Sequence, residues 1–352
     1  MRIARFALLL LGILFLLGVG GVYWLFFAPL VVGTPTDTFT LKIKPGMSFD
    51  SVVTMMQEDK LIRDKTRLDF AADLLGSKNK IKAGKYAIVG GLSTYRLLDC
   101  LVQGKVAREW VTIAEGKQAR QIASVLQSRI EIDSTRFMQL VYDPQFAHKM
   151  GIEASSLEGF LYPETYELYW GMKPEDVIQM MVRQFKKQFT EELQARARES
   201  GFTVLQTVTL ASIIEGEAVV DLEREIISAV YYNRLKRRML LQADPTIQYL
   251  VPDGPRRLLK RDLEIDSPYN TYKYTGLPPG PVNNPGVASM RASLYPAEVD
   301  YLYFVANGDG SHTFSRTYDE HVKAKARFDQ YRREVKNKMR REGDRGENKI
   351  SG

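Results

Sequence analysis

The sequence predicts an α+β protein: an N-terminal transmembrane helix, then β/α modules, then a mixed α/β domain. Three observations carry this. Residues 6–36 contain no charged side chain. Two stretches 70 positions apart repeat one strand–glycine–helix pattern. Further on, a helix that is apolar over most of its surface ends on two carboxylates, Glu215 and Glu217.

The N-terminal element comes first. The run from Phe6 to Val32 exceeds the roughly 20 apolar residues that span a bilayer. Tyr23 and Trp24 stand toward its far end, where amphipathic rings favour the interface. Arg2 and Arg5 precede it, so residues 1–5 are expected in the cytoplasm and 6–32 in the membrane. A cleaved signal peptide is the alternative. Its apolar region is about 7–15 residues and ends at a small-x-small site, whereas FFAPLVVG is a poor one. An uncleaved, single-pass anchor is therefore expected, with the rest of the chain outside the cytoplasm.

The β/α modules follow, over residues 37–150. LKIKPGMSFDSVVTMMQ (41–57) aligns with VTIAEGKQARQIASVLQ (111–127), pairing Ile43 with Ile113 and Gly46 with Gly116. Each reads as a short strand, a glycine turn and an amphipathic helix. IKAGKYAI before STYRLLDCLVQG, and LEGFLYPETYEL before KPEDVIQMMVRQF, echo the same order. The unit resembles LysM modules, which bind N-acetylglucosamine-containing glycans. Glycan binding and a spacer role both remain open.

The mixed domain is expected over residues 151–330. Thr203 is a candidate N-cap for TVLQTVTLASIIE, a helix apolar over much of its surface. A carboxylate at its end is costly to bury and tends to retain its proton near neutrality. That property suits a general acid facing a glycosidic oxygen. A salt bridge from Glu215 to Arg224 or Arg234 is the alternative. Asp221 is expected to cap the next helix, with Leu222, Ile226, Val230 and Arg234 on one face. MLLQADPTIQYL places Gln242, Asp244 and Thr246 among apolar residues, as either a turn or a cleft wall. SPYNTYKYTGLPPGPVNNPG (267–286) combines rings and amides that suit sugars, and its length without periodicity favours a functional loop. YLYFVANGDGSHTFS reads as two strands about an NGDG turn.

Composition bounds the partners. Hydrophobic residues make 45% and charged ones 26%, ordinary for a folded protein. The net charge of +7 sits at the ends. Lys323 to Lys349 hold eleven basic against five acidic residues, and residues 6–322 carry a net −1. A nucleic-acid binder would carry a basic stripe through its body, so nucleic acid is not an expected partner. Residues 331–352 form a basic, partly disordered tail in this reading. The single Cys100 excludes an intrachain disulfide and a paired-cysteine zinc site. It reads as a small buried apolar residue. With three histidines in all, a His-rich metal cluster is not expected.

The motifs LASIIEGEA, YYNRL, LQADPTIQY, SPYNTYKYTGLPPGPVNNPG and YLYFVANGDGSHTF, in this order, resemble the catalytic domain of the YceG-like family of endolytic murein transglycosylases. The resemblance covers residues 155–330, and the anchor and LysM-like region fit the same family. It implies cleavage of the β-1,4 bond between N-acetylmuramic acid and N-acetylglucosamine within nascent peptidoglycan strands. The sugar's C6 hydroxyl attacks, giving 1,6-anhydro ends, and the resemblance implies no metal or organic cofactor. It places the catalytic glutamate on Glu215 and the second acidic residue on Glu217. The cleft signature falls on Asn233, Gln242, Asp244, Thr246, Tyr249, Tyr269, Asn270, Thr271, Tyr272, Asn284 and Pro285. It further implies membrane peptidoglycan synthases as partners, and a bacterial inner (plasma) membrane protein with its catalytic part on the periplasmic or extracytoplasmic side. Two alternatives stay open: a muramidase using water, with Glu215 as acid and Asp244 as second carboxylate, and a non-enzymatic glycan-binding scaffold.

Overall fold

A computed structural model describes residues 2–44, 46–252 and 254–347. The chain divides into two compact units. One comprises Met1–Val111, Leu126–Asp133 and Glu167–Lys173; the other comprises Thr112–Val125, Ser134–Tyr166 and Pro174–Gly352. The sequence-based boundary stands at 150/151; by packing, the first crossing comes at 111/112.

The first unit starts with α1 (Arg2–Phe26). Its stretch Arg5–Phe26 is, by length and composition, able to cross a membrane, and none of it is buried over the apolar window. Then come β1 (Thr38–Ile43), α2 (Phe49–Glu58), α3 (Lys65–Leu74), β2 (Gly84–Val89) and α4 (Thr94–Gln103). β1 and β2 pair antiparallel, with Thr38 opposite Val89 and Ile43 opposite Gly84. Alternation along the strands sends Leu41, Ile43, Tyr86 and Ile88 into one core with Val52, Met56, Leu68 and Leu97. The last turn of α1 joins this core through Leu25. Cys100 packs partly buried against it, and burial pushes its thiol up.

The repeat read from sequence is a repeat of backbone. β3 (Arg108–Thr112) leads to α5 (Ala119–Ile130), and β4 (Thr165–Tyr169) leads to α8 (Pro174–Gln188). Between them lie α6 (Ser134–Val141) and α7 (Pro144–Lys149). β3 and β4 form a two-stranded sheet of their own, as β1 and β2 do. Gly46 and Gly116 take φ of 83° and 72° in the matching strand-to-helix turns, a conformation that a Cβ disfavours.

The second unit continues with α9 (Glu191–Glu199), α10 (Val204–Glu217), α11 (Arg224–Lys236), α12 (Asp244–Leu250) and α13 (Val287–Leu294). β5 (Tyr303–Ala306) and β6 (His312–Ser315) form an antiparallel hairpin about the NGDG turn, and α14 (Tyr318–Glu347) follows. α10 is the central helix. Thr203 caps it and forms a capping box with Gln206. Thr207 to Ile214 are all buried against α11, α12 and α13.

Two expectations are corrected. Asp221 does not cap α11: it opens a short 3-10 turn, and its carboxylate bonds Arg224 at 3.1 Å. Leu222, in that turn, is 88% exposed and not on the buried face. The tail enters α14 up to Glu347, and residues 348–352 lie outside the described residues.

Candidate active site

The site is organised by the end of α10. At 3.6 residues per turn, positions i and i+2 point about 200° apart. Glu215 and Glu217 therefore leave the helix on opposite sides. Gly216, between them, has no room for a side chain: a Cβ would lie 2.6 Å from the Pro245 ring. The start of α12 thus packs directly on the helix backbone.

Glu215 is enclosed by donors. Its Oε2 accepts from Ser289 Oγ (2.7 Å), the Arg224 guanidinium (3.2 Å) and Gly286 N–H (3.2 Å). The Glu215 and Arg224 side chains are 7% and 9% exposed. Of the two salt bridges considered from sequence, the one to Arg224 forms. Glu115 lies against Gly286, where a Cβ would coincide with its carboxylate. Burial, and then the Glu215 charge, push Glu115 above the usual carboxylate range.

Glu217 faces a cavity of about 510 Å³, whose wall also holds Gln242, Asp244, Tyr272, Arg234 and His312. The Tyr231 hydroxyl donates to Glu217 Oε1 at 3.1 Å. Burial pushes Glu217 up to about 8; the Asp244 charge adds to this, while the Tyr231 bond and Arg234 oppose it. Tyr272 donates its hydroxyl to Asp244 Oδ1 at 2.5 Å, fixing that carboxylate. Arg234 is held by the carbonyls of Leu302 (2.7 Å) and Leu241 (2.8 Å). Gln242 adopts a left-handed φ of 52°, the kind of strained backbone that clusters at ligand sites. His312 is oriented by Glu223, at 2.7 Å from Nδ1. His321 also lines the cavity, and its Nδ1 is buried with no hydrogen-bond partner.

Other signature residues sit in the supporting frame. Asn270 donates to the carbonyls of Leu263 and Ile265 and accepts from Tyr272 N–H. Thr271 accepts from Ala243 N–H, and its hydroxyl meets that of Thr246 at 2.9 Å. Asn233 donates to the carbonyls of Val299 and Tyr301, ahead of β5. The Tyr249 and Tyr269 rings lie tilted against each other, with centroids 5.0 Å apart. Pro285 is buried beside Asn284. Asn284 bonds four groups and reaches Glu158, a carboxylate absent from the expected set. Glu158 is 1% exposed, and burial pushes it up to about 7. It accepts from Ala119 N–H, Tyr142 and Asn284, which oppose that rise.

The structure therefore brings Glu217, Gln242, Asp244 and Tyr272 to one cavity. Sequence reading missed His312, His321 and Lys325 as cavity residues. Only the resemblance of YLYFVANGDGSHTF pointed near them. Among the described residues no cluster of three or more His, Cys, Asp or Glu could hold a metal ion.

The sequence profile of the YceG-like family matches residues 41–327. Over 307 residues the chain is 32% identical to the endolytic murein transglycosylase of Bacillus subtilis (strain 168), covering 83% of this chain and 85% of that one. It is 28% identical over 314 residues to the protein of that name from Streptococcus pneumoniae serotype 2. That match takes in 80% of this chain and 57% of the pneumococcal protein. A 2.6 Å crystal structure of a yceG-like protein from Listeria monocytogenes superposes with a TM-score of 0.57 at 32% identity, over 82% of this chain and 99% of that one. A profile spanning most of the chain, and relatives alike over four-fifths of it, carry one conclusion: the chain belongs to the YceG-like family.

Proposed function

We propose that this chain is an endolytic lytic transglycosylase of peptidoglycan, and that Glu217, not Glu215, is its general acid. The carrying observation is that Glu217, bonded by the Tyr231 hydroxyl, stands on the wall of a polar cavity beside Asp244, with burial holding its carboxyl up at about 8. Such a group holds its proton at neutral pH and can release it to a developing oxyanion. Glu215 is instead held against Arg224, Ser289 and Gly286, all three of which donate to its Oε2.

The chemistry follows with one carboxyl. Glu217 gives its proton to the glycosidic oxygen as the C1–O bond of N-acetylmuramic acid breaks, so the N-acetylglucosamine leaves as an alcohol. The Glu217 carboxylate then takes the proton of the muramic C6 hydroxyl as O6 closes onto C1. Protons balance, no water is consumed, and a 1,6-anhydro end forms. Asp244, held by Tyr272, stands on the same wall, where the ring turns cationic in the transition state. The buried asparagines and threonines of the signature serve as frame in this reading, and Gln242 and Tyr272 as sugar contacts.

A hydrolase using Asp244 to direct water is the second reading, favoured by the carboxylate pair on one wall. Products separate the two. Digestion of purified glycan strands should yield fragments one water lighter than hydrolysed ones, read by mass spectrometry. Reducing muramic ends on every fragment would establish hydrolysis instead.

The pH profile tests the acid. Since the raised group must be protonated, cleavage should fall as pH rises through about 8. Asp244→Asn removes a charge that lifts Glu217, so this limb should move to lower pH. A limb that stays in place would exclude Glu217 as the titrating group.

The remaining assignments are part of the same proposal. α1 is an uncleaved single-pass anchor in the plasma membrane, which keeps the enzyme beside newly exported strands and their synthases. Cleavage there would end strand growth. The β/α units, as LysM-like modules, would hold glycan or serve as spacers, the two roles that their strand–glycine–helix pattern leaves open.

A further inference from the structure

We infer that α3 lies in the headgroup layer of the membrane, its Phe70–Leu74 flank against lipid. This rests on the reading of α1 as an anchor. The link is Arg67, a buried arginine in the first turn of α3. Its guanidinium donates to the carbonyls of Leu25 (3.4 Å), Pro29 (3.3 Å) and Ala28, at the open C-terminal end of α1. It also lies 5.1 Å from the Trp24 ring centroid. A cation at this end complements the helix dipole, and its bonds fix α3 to the end of the span.

Residues three, four and seven apart share a side of a helix. Leu74 therefore projects on the side of Arg67, and Phe70 beside it. Phe70 is 60% exposed and Leu74 63%. The acidic residues Asp69 and Asp73 fall on the far side, where Lys78 pairs with both, at 2.8 and 2.9 Å. Tyr23, Phe27 and Tyr95 continue the exposed apolar surface around the same exit, with Phe27 and Tyr95 rings 6.2 Å apart. Aromatic and leucine side chains beside a span end, with charges turned away, match an interfacial helix. Lipid is the occupant that this geometry requires, because α1 carries the bilayer to within reach of Arg67.

Spin labels on the full chain, reconstituted alone in phospholipid nanodiscs, test this. With Cys100 replaced by Ala or Ser, single cysteines go at positions 14, 70, 74 and 105. Leu14→Cys reports the span itself. Lys105→Cys reports water: it follows α4, whose preceding Ser93 bridges Pro29 and whose ten residues lead about 15 Å away. The oxygen-to-nickel accessibility ratio at 70 and 74 should fall between those at 14 and 105. If 70 and 74 read as 105 does while 14 reads lipid, α3 faces water or an absent protein partner, and the inference is overturned. If 14 also reads water, the anchor reading itself fails.

Discussion

Glu217→Gln should lower strand cleavage by about 10²–10⁴-fold, the range that general acid–base catalysis supplies, with little change in thermal stability. The amide resembles the protonated carboxyl that the cavity favours. It can still accept from Tyr231, whose hydroxyl stands 3.1 Å from Oε1. It cannot deliver a proton to the glycosidic oxygen.

Glu215→Gln should do the reverse. It leaves Arg224, 9% exposed, without its charged partner at Glu215. Losing one side of a buried pair costs about 3–5 kcal/mol. Asp221, 3.1 Å from Arg224 Nε, is 83% exposed and compensates weakly. The melting temperature should drop, while the folded fraction keeps cleaving. Thermal denaturation beside mass-resolved digestion separates the two variants. A Glu215→Gln protein that is fully stable and inactive, with Glu217→Gln active, would return the acid to Glu215.

Sequence reading narrows the acid to the tripeptide from Glu215 to Glu217, and the choice between its two carboxylates is a matter of helix geometry. TVLQTVTLASIIE announces a buried helix, and Glu215 is where its apolar run stops. Which glutamate meets a cavity depends on the faces taken by α11, α12 and α13, and the central helix is apolar nearly all round. No amphipathic stripe marked a solvent side. The strand–glycine–helix repeat was legible because a turn with φ near 80° selects glycine locally. Leu222 was misread since the apolar spacing of α11 extended backward into a turn that belongs to Asp221. Asn270, Thr271 and Asn284 were ambiguous in principle. A loop buried without helix or strand needs amides for its own backbone groups, and a sugar cleft needs the same chemistry. Glu158 gave no local signal, because the residues that enclose it, Ala119, Tyr142 and Asn284, are up to 126 positions away.

Asn284→Ala decides between those two uses of an amide, and should be the most destabilising single change in the second unit. Asn284 Oδ1 accepts from Gly159 and Leu161 N–H, both at 2.9 Å, and Nδ2 donates to the Lys117 carbonyl and to Glu158, both at 2.9 Å. Each buried group left unmet costs about 1–3 kcal/mol, so the loss should be on the order of 5 kcal/mol, a large part of ordinary domain stability. The pH dependence adds a signature. Glu158 is pushed up to about 7 when folded, above its ordinary 4.5. A raised folded pKa favours the native state in acid, and that contribution is lost as pH rises through about 7. Removing Asn284 takes away a donor that opposes the rise, so the variant should lose more stability than the parent between acid and mildly alkaline buffer. The gap in melting temperature should therefore narrow in acid. A sugar-contacting asparagine would behave otherwise: melting would be unchanged at every pH, and only the affinity for glycan strands would fall.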